Sequence, residues 1–407
     1  MHVSDLSLED FRSYRRLVVS LEPGVTALIG PNGQGKTNLI EAVDYLSGLS
    51  SHRAGADTAL VRRAGPGEEQ PGGAVLRARV VHGRRPTVME LEIIAGRANR
   101  ARLNRGSVRP RELLGVLRTV LFSPEDLALV REEPAGRRRL LDDLAVALRP
   151  ALAGVRAEHD KILAQRAGLL RSARAARTPT ASMLTTLEVW DAQLAAAASR
   201  LIAARIDVVE RLRPWVADAY GAVSADPSPA FIAYRSSLAL HEGAPEPDPS
   251  TGGDRPEVEA GLADAGAVAA RLEAAMGALR AREIDRGANL VGAHRDDLSL
   301  FLGPLPARGF ASHGEQWSLA LALRLASYEM LRHDVDAYGG DGEPVLLLDD
   351  VFSSLDDARR RALARLVAGA QQALVTAASE HDVPGELAGA RWRVDGSELS
   401  REPGAEP

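Results

Sequence analysis

The sequence predicts an α/β fold in two separated pieces, with a mainly helical domain inserted between them. Three observations lead there. Short apolar, strand-like runs fill the first hundred or so residues, helical periodicity takes over from about residue 135, and a buried-strand run returns at 344–350. The expected divisions are 1–134, 135–285 and 286–400. At 407 residues the chain is long enough for two or three domains and a large core. Apolar residues make up 45% and charged residues 26%, a globular balance, while aromatics at 4% and abundant alanine suit helices better than a β-sandwich. The absence of cysteine excludes a disulfide framework and any thiolate metal site. No run approaches the roughly 20 apolar residues of a membrane span, and the N-terminus lacks a signal-peptide layout, so a soluble cytoplasmic protein is expected. The net charge of −5 argues mildly against a chain coated in nucleic acid, leaving room for a local basic surface.

Taken in order, Val3–Leu8, Arg16–Leu21 and Val25–Ile29 read as strands, and Asn38–Leu46 reads as a helix. Between 75 and 105, Val75, Val80, Val81, Val88, Leu91, Ile93 and Ile94 are separated by Gly and Arg turns and indicate further strands. From Leu141 an apolar seam runs through Ala145, Leu148, Leu152, Val155, His159, Ile162, Arg166 and Leu169. After a break at Thr178-Pro179-Thr180 it resumes at Leu187, Leu194, Ala198, Leu201, Val208, Leu212 and Trp215. Two seams joined by a short turn predict an antiparallel, coiled-coil-like helical hairpin. Polar His159 and Arg166 in one seam favour a packed helical subdomain over a projecting coil. Pro150 kinks the first arm or starts a new helix. Residues 241–262, rich in Pro, Gly and acids, read as a mobile, disordered loop, and the tail from Arg401 as frayed. Helix resumes near 264, strand and loop occupy 288–310, and a final α/β section begins with the helix after Ser312.

Two lysines stand among 50 basic residues, Lys36 and Lys161. Lys36 belongs to Gly30-Pro31-Asn32-Gly33-Gln34-Gly35-Lys36-Thr37, which matches G-x-x-x-x-G-K-[ST] in the strand–loop–helix context that a phosphate loop requires. Its ammonium is a compact point charge that fits inside a glycine loop, where a planar guanidinium would be too wide. Backbone N–H groups from Gly33 to Thr37 and the following helix N-terminus, reaching Asn38, are expected to surround a β-phosphate. Lys36 would bridge β and γ oxygens, and the Thr37 hydroxyl would ligate Mg²⁺ of a bound ATP. A plain glycine-rich turn is the competing reading.

Pro344-Val345-Leu346-Leu347-Leu348-Asp349-Asp350 reads as a strand buried on both faces of a parallel sheet, ending in acids. Asp349 is expected to hold Mg²⁺ through water, and Asp350 to orient or deprotonate an attacking water. The third element is Ser312-His313-Gly314-Glu315-Gln316, ahead of a helical run: Ser312 suits an N-cap, Gly314 permits close backbone approach, and the helix start attracts anions. About thirty residues later comes the acidic strand, then Ser353-Ser354-Leu355-Asp356.

This order of phosphate loop, large insertion, S-x-G-x-Q signature, acidic strand and S-L-D loop resembles an ABC-type ATPase head. In that class the signature contacts the γ-phosphate held by a second subunit. More specifically, the chain resembles the RecF family of bacterial DNA replication and recombinational repair proteins, on the SMC-like branch. The resemblance rests on Leu8–Tyr14, on Phe122–Leu127 with Arg137-Arg138-Arg139 and Leu141-Asp142, and on Gly292-Ala293-His294-Arg295-Asp296-Asp297, and it spans essentially the whole length. It implies ATP-dependent homodimerisation, DNA binding at single-stranded, gapped or junction sites, and weak DNA-stimulated ATP hydrolysis acting as a switch. It also implies cooperation with RecR and RecO in loading recombinase, and a part in the SOS response. Two positions depart from the family pattern: Glu315 stands where glutamine is common, and no histidine adjoins the switch position after Leu374–Ala378, His381 lying several residues on. Arg12, Arg53 and Arg295 could reach phosphate or serve in ion pairs. The competing assignments are the motor subunit of a membrane transporter, disfavoured by the helical insertion and the 292–297 motif, and a zinc-hook SMC partner, disfavoured by the lack of cysteine.

Overall fold

A computed structural model of the chain describes residues 1–176, 179–224, 228–249, 256–335 and 340–402. It divides into two units, one of Met1–Leu127, Ala219–Ala225 and Ala320–Pro407, the other of Ala128–Asp218 and Asp226–Leu319.

The first unit contains two six-stranded sheets. One is antiparallel and built from β1 (His2–Phe11), β2 (Tyr14–Ser20), β4 (Gly73–His82), β5 (Arg85–Ile94), β6 (Arg100–Leu103) and β7 (Gly106–Val108), in the order β2-β1-β4-β5-β6-β7. Strict alternation buries Ala74, Leu76, Ala78 and Val80 on β4 and Met89, Leu91 and Ile93 on β5. On β1 the alternation slips between Val3 and Leu6, and a register shift between Val3 and Asp5 absorbs the extra residue, so both side chains still reach the core.

The other sheet combines β3 (Gly24–Ile29), β8 (Thr119–Phe122), β12 (Val345–Asp349), β13 (Gln372–Ala377), β14 (Gly389–Asp395) and β15 (Glu398–Arg401) in the order β15-β14-β3-β13-β12-β8. All neighbours are parallel except β15 on β14. Every residue of β12 and β13 is buried, as expected of central parallel strands covered on both faces. Gln372 at the start of β13 ties the two sheets together: its amide accepts from Val3 N at 2.8 Å and donates to the Val3 carbonyl at 2.8 Å. The helix Lys36–Gly48 follows β3 and buries Leu39, Ile40, Ala42, Val43 and Leu46 in the same core.

The second unit is mainly helical. It contains the helices Ala135–Leu148, Leu152–Ala175, Pro256–Ala263 and Ala265–Arg286 and most of Ala181–Val223, with a small sheet of β9 (Ala230–Arg235), β10 (Asp297–Leu302) and β11 (Leu305–Pro306). Asp264 caps the Ala265–Arg286 helix by accepting from Gly266 N at 2.8 Å. Arg166, the polar interruption in the first seam, is 0% exposed and bonds to Asp191 and Glu283, each at 2.6 Å, and to Asn289 at 2.5 Å. The seam therefore packs as part of a three-sided bundle core.

Several local expectations change. Residues 256–263 form a helix inside the segment read as a loop, because Pro256 preorganises a first turn and Glu257 and Glu259 favour its positive end; 250–255 lie outside the described residues, as does Thr178 of the interhelical break. Pro150 separates two helices, in line with the second of the two expectations for it, with Leu152 N donating to the Arg149 carbonyl at 2.9 Å. Arg401 is not frayed but ends β15, pairing with Trp392. The strand expected to end near Ala378 is β13, Gln372–Ala377, and it is followed by the β14–β15 hairpin, which places two more strands at the sheet edge.

Candidate nucleotide site

The Gly30–Thr37 loop leaves the C-terminal end of β3 and runs into the Lys36–Gly48 helix, the crevice where open parallel sheets bind ligands. Geometry constrains Gly30 and Gly35 in different ways. A Cβ on Gly30 would sit 2.1 Å from the Val394 carbonyl oxygen of β14. Gly35 has φ of 108° and is packed against Ser13, Tyr14 and Ser397, with the Tyr14 hydroxyl donating to its carbonyl at 3.0 Å. Gln34 faces the C-terminal hairpin and accepts from Gly396 N at 2.7 Å through its side chain and from Ser397 N at 3.1 Å through its carbonyl. Pro31, Asn32 and Gly33 are exposed. Asn38 donates to Ser13 Oγ at 2.9 Å.

Lys36 is 6% exposed, and its ammonium donates to the Gly30 and Pro31 carbonyls at 2.5 and 2.8 Å. Burial lowers its pKa from the ordinary lysine value, and the nearby carboxylates of Asp350 and Asp349 oppose that shift. Although 312 residues apart, Thr37 Oγ1 and Asp349 Oδ1 meet at 2.9 Å. Asp349 ends β12, and Thr376 on the neighbouring β13 donates to the same oxygen at 2.7 Å. Asp350 follows with a left-handed φ of 51°, a conformation that costs about 1–2 kcal/mol outside glycine and that Asp tolerates better than most. Its Oδ1 is buried with no hydrogen-bond partner. Thr37 and Asp349 supply hard oxygen donors of the kind Mg²⁺ takes, and among the described residues no cluster of three or more His, Cys, Asp or Glu could hold a metal alone. These two oxygens fit the donor chemistry of Mg²⁺. His381 is exposed in a short turn after β13.

Ser312 to Gln316 lie in the other unit, at the start of the helix His313–Arg332. Ser312 Oγ accepts from Glu315 N at 3.3 Å while Glu315 returns the bond, accepting from Ser312 N at 2.6 Å. This reciprocal pair is a capping box, which explains how an acid is accommodated at the position that departs from the family pattern. Gln316 donates to the Ala311 carbonyl at 2.7 Å, and Arg131 clips both Gln316 Oε1 and His313 Nδ1. Gly314 sits in the first turn of that helix.

The other motif residues are engaged in local hydrogen bonds and ion pairs. Arg137 binds Asp297 bidentately at 2.8 and 2.9 Å, and Arg205 binds Asp142 at 2.7 and 3.0 Å while donating to the Ala293 carbonyl. Asp296 is 0% exposed and accepts from the Tyr234 hydroxyl and from Ser237 N and Oγ, each at 2.7 Å; desolvation raises its pKa. Arg12 forks onto buried Glu41 at 2.5 and 2.8 Å and is committed to that ion pair, whereas Arg53, more exposed, lies 3.7 Å from the same carboxylate and donates to Asn38 Oδ1 at 3.3 Å. Arg295 is exposed and donates to the Asn289 carbonyl at 2.8 and 2.6 Å. Sequence reasoning missed Arg131, Thr376 and the Gln34 contacts, which depend on neighbours remote along the chain.

Residues 2–385 match the family model described as the RecF/RecN/SMC N-terminal domain. A protein of Beutenbergia cavernae called DNA replication and repair protein RecF is 56% identical over 406 residues, covering 98% of this chain and 100% of the relative. Its counterpart in Frankia alni is 54% identical, with the same coverage of 98% and 100%. Among solved structures, the recombination mediator protein RecF-ATPrS in the RecFOR pathway superposes with a TM-score of 0.82 at 23% identity, covering 98% of each chain. An Smc head domain from Pyrococcus furiosus follows the same fold at a TM-score of 0.53 and 16% identity, covering 98% of this chain and 96% of that one.

Proposed function

The chain belongs to the RecF family, and from that premise we propose that it is an ATP-dependent DNA-binding protein of replication and recombinational repair. A part in DNA replication and repair is what its relatives' names carry. The observation that supports an ATP site is the meeting of Thr37 with Asp349 at 2.9 Å beside buried Lys36, at the C-terminal ends of two parallel strands, β3 and β12, that flank β13. Mg²⁺, when bound, supplies neutralisation of phosphate charge. Lys36 would turn from its two carbonyl partners to phosphate oxygens, Thr37 and Asp349 would hold the metal, and Asp350 would orient the attacking water. The loop from Gly30 to Asn38 encloses the phosphates of one copy. Ser312, Gly314, Glu315 and Gln316 of a second copy complete the site, so that ATP joins two heads made from segments 1–134 and 286–400, with 135–285 as the insertion. Slow, DNA-stimulated hydrolysis would release the dimer. The same reading extends to a cytoplasmic setting, cooperation with RecR and RecO at gapped DNA, and the SOS response. The transporter-motor alternative gains nothing from relatives that match over the full chain.

Mobility is the test. ATP with Mg²⁺, but not ADP, is expected to shift the purified protein from monomer to dimer, and DNA affinity should fall steeply as salt rises. A dimer that forms equally with ADP, or salt-independent DNA binding, would contradict the proposal.

A further inference from the structure

We propose that Thr376 is a positioning residue of the nucleotide site, holding both acidic residues at the end of β12 with one hydroxyl; this rests on the ATP reading above. Thr376 lies on β13, between the strand that leads into the phosphate loop and the strand that ends in Asp349. In the parallel registers it stands beside Asp349 on one side and Leu28 on the other. It is 1% exposed, among Leu374, Val375 and Ala377. Valine would serve such a strand equally well by shape, so the hydroxyl is the feature to explain, since a buried hydroxyl is costly unless its bonds are made.

Both of its bonds have one possible direction. The Asp350 backbone N–H can only donate, so at 2.9 Å the Thr376 oxygen accepts there. With its oxygen accepting there, the hydroxyl's single proton is left to point to Asp349 Oδ1 at 2.7 Å. The hydroxyl therefore fixes the Asp349 carboxylate against Thr37 and pins the left-handed turn at Asp350 together. A group of this kind acts through the residues that touch metal and water, without touching either itself. Such supporting bonds commonly account for 10–100-fold in metal affinity or activity.

The experiment compares wild type, Thr376→Val and Thr376→Ser, measuring affinity for a fluorescent ATP analogue in Mg²⁺ and in excess EDTA, alongside turnover. Thr376→Val is expected to lose roughly 10–100-fold in the Mg²⁺-dependent gain in affinity and in turnover, with its EDTA affinity unchanged within about twofold. Thr376→Ser, which keeps the hydroxyl, should recover most of both. The role is overturned if the valine variant matches wild type, if serine is no better than valine, or if affinity falls equally in EDTA. Melting curves verify folding, and Thr376→Ala is read in the same assay if valine is not tolerated. Wild type without nucleotide affinity overturns the ATP reading and this role with it; a wild type that binds, beside a valine variant that matches it, overturns this role alone.

Discussion

The phosphate-loop region and the helical unit both bury charge, and they handle it in opposite ways. Lys36 is held by two backbone carbonyls, and Asp350 keeps a buried oxygen unpartnered on a left-handed backbone. In the helical unit, Arg166 meets Asp191, Glu283 and Asn289, Arg205 meets Asp142, and Asp296 meets Tyr234 and Ser237. Unspent polar capacity marks a place where a ligand can be received; spent capacity marks architecture. Motif strength does not separate the two. Arg137, Asp142, Asp296 and Asp297 belong to the most distinctive stretches of the sequence, yet they are spent inside the unit, Arg137 on Asp297, Asp142 on Arg205 and Asp296 on Tyr234 and Ser237.

The largest expected effect is on the architectural side. Arg166→Met leaves Glu283 buried without its cation, Asp191 keeping only Arg280 at 3.0 Å, and should cost about 3–5 kcal/mol of stability. Denaturant unfolding of the apo protein measures it. Nucleotide affinity of the protein that remains folded should be unchanged, and a loss there would break the contrast.

Lys36→Met should do the reverse. Its lowered pKa means that the folded protein disfavours the charged ammonium, so that below this pKa the charge is a penalty that the apo protein carries. Methionine keeps the stem, and apo stability is expected to hold or rise slightly. Affinity for Mg²⁺-ATP, in contrast, should fall by about 2 kcal/mol, roughly 30-fold, the worth of a charge-assisted hydrogen bond. Parallel melting and nucleotide titrations decide it; a melting point lowered as much as in Arg166→Met would refute the distinction.

The same contrast explains what was legible in the sequence. Phosphate chemistry requires contiguous residues, so the Gly30–Thr37 loop, the strand ending in Asp349 and the Ser312 cap could be read locally, as could the alternation of β4 and β5. What sequence could not supply is adjacency. Thr376 becomes a neighbour of Asp349 only because β13 enters the sheet between β3 and β12. Gly30 is forced by Val394, and Gln34 meets Gly396, contacts more than 360 residues apart made by a hairpin whose strands carry weak alternation. Likewise Arg166 looked like a flaw in a seam until Glu283 and Asn289, over 110 residues on, came into contact with it.

Glu315 gives the smallest expected effect and the sharpest test of the contrast, because it sits in a motif tied to ligand binding yet is occupied locally. Its carboxylate is turned back onto Ser312 N at 2.6 Å, completing a box that either Glu or Gln can close. Glu315→Gln should therefore change stability by no more than about 0.5 kcal/mol, the slight loss reflecting a charge removed from the positive end of the helix. Glu315→Ala opens the box and should cost about 0.5–1 kcal/mol, seen as a small fall in melting temperature. If the alanine variant melts like wild type yet fails to dimerise with ATP, the carboxylate belongs with the unspent groups of the phosphate loop, and the capping bond is incidental. If it melts lower while dimerising normally, Glu315 is architecture inside a binding motif, as Arg137 and Asp297 are.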